Sequence, residues 1–172
     1  LTGNVTVDSR GLDAEDPRRN PVKVQNPLDA DYSILGTTLL PPMLEAAGRN
    51  VARGRGDVAI YSVAQTSEKR ADVSPLPDVS ERPADEVVAE LVESLPKQHL
   101  HAATVALGNT ELEGPWGAGR AYEWSDAIEA AQLVARVCGV ELDVQAAEYL
   151  PWHPGRCAEL QVDGEVVGHA GE

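Results

Sequence analysis

The chain has 172 residues, enough for one domain whose core needs neither a disulfide nor a metal to hold it. It carries 28 acidic against 14 basic residues, a formal charge of −14, and a field of that sign repels phosphate backbones over most of the surface. Two cysteines are too few for a disulfide framework, no apolar run reaches the roughly 20 residues of a membrane span, and LTGNVTVDSRG lacks the charged and apolar regions expected of a signal peptide. A reduced, cytoplasmic protein is expected.

Residues 1–20 are polar and read as loop, and VKVQ at 22–25 reads as a short strand ended by Asn26-Pro27. LLPPMLEAAGRNVARG predicts a helix over 40–53. Pro41 sits in its first turn, Gly54 and Gly56 stop it, and Met43, Leu44, Ala47 and Val51 recur as one apolar stripe. Arg49, Arg53 and Arg55 suit the negative end of that helix better than a nucleic-acid patch. DVAIYSVAQ predicts a strand, and residues 66–83, charged and proline-bearing, predict an exposed loop.

ADEVVAELVESL predicts a second helix, with Val87, Val88, Leu91, Val92 and Leu95 on one face. LHAATVAL, 100–107, reads as a strand buried on both faces, and a glycine-bearing loop follows. Ser125 is the expected N-cap of a third helix, with Ala127, Ile128, Ala131, Val134, Ala135 and Cys138 inward and Gly139 as its stop. VELDVQAAEY gives another strand. AELQV and EVVGHA flank Asp163-Gly164, the pattern of a two-residue hairpin turn. Helices alternating with strands and one sure hairpin predict a single α+β domain over 1–172. The chain opens on Leu1 and stops just after a strand-like run, so a piece of a larger protein is expected.

The stretch WHPGRCAEL, 152–160, gathers a histidine, an arginine and a cysteine. A thiolate nucleophile needs a base within hydrogen-bond reach, and a small thiol-dependent hydrolase using Cys157 and His153 is the alternative reading. Pro154-Gly155 forbids the helix that would align these side chains. Cys157 also opens a β-run, where it packs as a small hydrophobe. A turn with Arg156 paired to a carboxylate is therefore preferred. His99 and His101 could share one strand face, but no HExxH or paired CxxC supplies further zinc ligands. GPWGAGR, 114–120, lacks the strand, helix and Lys-Ser/Thr that a phosphate loop requires. No catalytic residue, metal ligand or cofactor site emerges from these patterns.

NPLDADYSILGTTLLPPMLEAAGRNVARG resembles the segment that opens the catalytic-like module of the bacterial phenylalanyl-tRNA synthetase beta subunit. Asn26, Pro27, Leu28, Leu35, Thr38, Leu39, Leu40 and Pro41 carry the match, and Tyr61 and Ser62 depart from the family's usual Phe-Glu. His153-Pro154-Gly155-Arg156, Ala158-Glu159-Leu160 and Gly168-x-x-Gly171-Glu172 are similar to its HPGRxAEI…GxxGE pattern. The resemblance implies a class II aminoacyl-tRNA synthetase-like antiparallel sheet flanked by helices, without catalytic equipment. Gly117-Ala118-Gly119-Arg120 is superficially like the ATP-holding motif of class II enzymes but stands in the wrong order along the chain.

ATP and Mg²⁺ then belong to the whole enzyme and not to this piece. Partnership with the alpha subunit is implied, with tRNA(Phe) met only through the whole enzyme. Met43, Leu44, Ala47 and Val51 take the place of an interface helix. His153, Gly155 and Arg156 form a structural turn.

Overall fold

A computed structural model describes residues 12, 15–71 and 80–172. Its elements in order are α1 (Leu40–Ala52), β1 (Val58–Glu68), α2 (Asp85–Glu93), β2 (Lys97–Leu107), β3 (Asn109–Glu111), β4 (Arg120–Ala121), α3 (Trp124–Cys138), β5 (Asp143–Ala146), β6 (Cys157–Val162) and β7 (Glu165–Gly171). All pairings among the strands are antiparallel: β1 with β2, β3 with β4, and β5-β6-β7. The class is α+β, as the alternation of helical and strand patterns implies.

β1 and β2 form a long ribbon in unbroken register from Val58↔Leu107 to Glu68↔Lys97. Gly108 closes it. Its φ of +80° suits glycine, and a Cβ there would strike the Gly56 carbonyl oxygen and the Asp57 side chain. The Asp57 carboxylate accepts hydrogen bonds from the Asn109 backbone N–H at 2.7 Å and its side-chain amide at 3.1 Å. The entry to β1 and the exit from β2 are thus pinned together at one end of the ribbon, and α1 packs on both strands.

The hairpin β6–β7 turns at Asp163-Gly164, with φ of +53° and +81°, the positive pair that a type I′ turn needs. A register shift at Leu160/Gln161 adds a bulge. α3 lies against β7, β6 and β2, and Gly139 ends it in the left-handed conformation at φ +72°. Met43, Ala47, Val58, Ala135, Ala158, Leu160 and Ala170 belong to the buried core.

Several expectations are corrected. Residues 22–25 make no strand, only an isolated bridge from Lys23 to Ile34, because two residues of pairing end at Asn26-Pro27. β1 runs past Gln65 to Glu68, and Thr66 and Ser67 are buried, so the exposed loop starts later than 66. The rest of that loop, 72–79, lies outside the described residues.

Residues 1–11, 13 and 14 of the first loop also lie outside them, while Pro17–Arg19 form a short 3₁₀ turn. β2 is not buried on both faces, since only one face of the ribbon meets α1 and Leu100 on the other is 70% exposed. α2 buries no residue. α3 starts at Trp124, one residue ahead of the expected cap. Glu123 is the N-cap in place of the expected Ser125, and the Asp126 carboxylate at the third helical position accepts the Glu123 backbone N–H at 2.7 Å.

Candidate subunit interface

α1 forms because LPPMLEAAGRNVA places prolines only in the first turn, where their missing N–H groups have no helical partner anyway. At about 100° per residue, Met43 and Ala47 lie close together on the cylinder, and Leu44 and Val51 form a second row about 70° around it. The structure separates these rows. Met43 and Ala47 are buried against the β1–β2 ribbon, whereas Leu44 and Val51 remain 52% and 48% exposed.

The single apolar stripe is therefore half core and half surface. Gly48 stands beside the outer row, and a Cβ built on it meets nothing within 4 Å. The polar flank is held in place: Glu45 accepts the Tyr32 hydroxyl at 2.8 Å and pairs with Arg49.

His153, Gly155 and Arg156 do form a turn. The Arg156 N–H donates to the His153 carbonyl at 3.0 Å, and Gly155 at φ +80° supplies the conformation that Pro-Gly turns require. The Arg156 guanidinium pairs with the Glu172 carboxylate at 3.0 Å, and the His153 and Glu172 backbones are also bonded. Gly171 faces the same turn at φ +155°, where a Cβ would collide with the Arg156 carbonyl oxygen. The turn therefore splices the entry of β6 to the end of β7.

Cys157 is buried, and burial pushes its thiol above the ordinary value, away from the thiolate a nucleophile needs. No hydrogen bond joins it to the His153 ring among the described residues. Nothing in this geometry favours a thiol hydrolase.

His99 and His101 lie side by side on β2 with ring centroids 6.2 Å apart, and His101 Nδ1 meets the Thr66 hydroxyl at 2.9 Å. Burial, then the neighbouring His99, holds His101 below the usual imidazole range. Among the described residues no group of three or more His, Cys, Asp or Glu converges as a metal site. In the glycine loop, Gly114 and Gly117 bond each other, and Arg120 makes a two-pronged contact with Asp126 at 2.9 and 2.7 Å. That bond holds the Asp126 carboxyl down at about 2. Glu111 and Glu123 also lie close enough to act on Arg120, which is held first by Asp126.

One cluster carries no local sequence signal. The Arg18 guanidinium lies 4.5 Å over the Tyr149 ring, Tyr149 stacks on His169, and Trp152 flanks them. Arg18 also pairs with Asp16 and donates to the Leu150 carbonyl at 2.7 Å, across 132 residues of sequence.

Several curated proteins similar to this chain share one name. The chain is 61% identical over 168 residues to a phenylalanine–tRNA ligase beta subunit of Corynebacterium efficiens, covering 97% of the chain and 20% of the relative. It is 52% identical to that of Nocardia farcinica, covering 96% and 20%, and 47% identical to that of Streptomyces avermitilis, covering 99% and 21%. The chain thus spans about a fifth of the length of these relatives. The family model described as the phenylalanyl tRNA synthetase beta chain CLM domain matches residues 1–172, and the chain belongs to that family.

Proposed function

We propose that residues 1–172 act as one non-catalytic assembly module of a phenylalanyl-tRNA synthetase beta subunit. The outer row of α1 would dock on the alpha subunit in the enzyme that attaches phenylalanine to tRNA(Phe). The observation that carries this reading is the exposed pair Leu44 and Val51. They flank Gly48 on a helix whose other row is already used by the core. A small residue beside two aliphatic ones lets a second helix approach closely, and burying each side chain is worth about 1.5–3 kcal/mol. Membership in the beta-chain family supports the choice of partner.

On this reading the separate antiparallel sheets are portions of a class II-like sheet. ATP, Mg²⁺ and tRNA are handled elsewhere in the whole cytoplasmic enzyme. The helices of the described residues are too short or too polar to cross a membrane. Co-purification tests the proposal: tagged full-length beta subunit carrying Val51→Asp should retain much less alpha subunit than wild type. Equal recovery with both would refute the docking assignment.

A further inference from the structure

The exposed row of α1 leads into a main-chain cap. The Arg55 N–H donates to the Asn50 carbonyl at 3.1 Å and the Gly54 N–H to the Val51 carbonyl at 2.9 Å, with Gly54 left-handed at φ +80°. This pair of bonds fixes the backbone of the residue after the glycine, a position that commonly holds an apolar side chain packed back on the last turn. Here that residue is Arg55. Its counterpart in the last turn is Asn50, whose side-chain amide donates instead to the Ala46 carbonyl at 2.9 Å.

Arg53 and Arg55 follow Val51 closely in sequence, and both are exposed. Neither guanidinium has a partner among the described residues, whereas Arg49, Arg120 and Arg156 each pair with a carboxylate. Asp57, the nearest acid in sequence, is engaged by the Asn109 backbone and side chain. The Asn50 and Val51 carbonyls take main-chain N–H groups, so neither arginine is needed to satisfy them. In a chain with 28 acidic and 14 basic residues, two neighbouring unpaired guanidinium groups are a local exception.

We infer that Arg53 and Arg55 are the charged end of the α1 docking face and receive carboxylate side chains of the alpha subunit, an inference that rests on the docking of Leu44 and Val51 proposed above. A guanidinium presents a planar fork of N–H donors that matches a carboxylate, and a fixed backbone leaves less to be ordered on binding. The fork also fits a phosphate. A charge of −14 opposes a polyanion, however, and the aliphatic row leading to the arginines contributes nothing to a phosphate contact. A protein surface uses both parts: Leu44 and Val51 supply apolar contact, and the arginines set the register of α1 against its partner.

Sedimentation of full-length beta subunit titrated with alpha subunit, at low and high salt, tests this. Arg53→Gln with Arg55→Gln should weaken association at least about tenfold at low salt, and the difference from wild type should shrink as salt rises. Lys97→Gln with Arg136→Gln removes the same charge from exposed positions elsewhere and should stay within about twofold of wild type. An equal loss in both double variants would overturn the inference, because net charge alone would then explain it. Wild-type affinity in the Arg53/Arg55 variant would overturn it too, and weaker tRNA binding by that assembled enzyme would assign the pair to phosphate. If Val51→Asp weakens association and the arginine variant does not, only the charged end is refuted. If neither does, the docking face itself fails.

Discussion

The Tyr149 ring lies flat on the His169 imidazole, with centroids 3.7 Å apart and planes within 2°. Arg18 covers Tyr149 as well, so a residue near the start of the described chain, the segment ahead of the HPGR turn and the terminal hairpin share one stack. Arg18→Ala removes its Asp16 pair, its bond to the Leu150 carbonyl and the cation–π contact at once. The expected loss is about 1–3 kcal/mol in denaturant melts of the full beta subunit's corresponding transition. Arg18→Lys should recover only part of it, because an ammonium cannot stack as a plane.

The same stack makes stability depend on pH. Burial, opposed by Glu159 4.0 Å away and reinforced by Arg18, holds His169 below its ordinary value. The folded state therefore favours the neutral ring, and the unfolded chain binds more protons as pH falls through the ordinary histidine range. The contribution is complete above about pH 6.5 and declines as pH falls below it. Denaturation midpoints at pH 7.5 and 5 should differ less in His169→Gln than in wild type. An unchanged difference would remove His169 from the account.

Two glycines of the terminal turn should respond unequally to alanine. At Gly155 only the positive φ resists a side chain, for a Cβ there meets nothing within 4 Å, and a cost of about 1 kcal/mol is expected. At Gly171 the Cβ collides with the Arg156 backbone, which cannot swing aside as a side chain would. Gly171→Ala should cost about 2 kcal/mol or more and expose the β6–β7 amides to exchange. Equal costs would mean that the splice between Arg156 and Gly171 yields easily.

Local signals were legible where local physics decides. Asp163-Gly164, Gly139 and the proline-led start of α1 each fix their own backbone, and all three stand as their residue types imply. The HPGR turn was legible for the same reason, including the pairing of Arg156 with a carboxylate. Burial was less so. LHAATVAL reads as a two-faced core strand, yet its outer face is covered only in part, with Leu100 left 70% exposed, because periodicity cannot report what packs on a face.

Within the candidate interface, helical spacing groups Met43, Leu44, Ala47 and Val51. It cannot say which row the ribbon takes and which is left outside. The Arg18–Tyr149–His169 stack depends on contacts over more than a hundred residues and had no pattern to reveal it.

That division of α1 sharpens the choice of variant, since a charge at buried Ala47 would damage the module itself, whereas Leu44 and Val51 test docking alone. The direct measurement is sedimentation of full-length beta subunit carrying Leu44→Asp and Val51→Asp, titrated with alpha subunit, beside Glu45→Ala as a control. Loss of two buried aliphatic contacts should weaken association at least about a hundredfold. The thermal transition of the beta subunit alone should stay within a few degrees of wild type. Wild-type affinity in the double variant would contradict the assignment of this helix face to the alpha subunit.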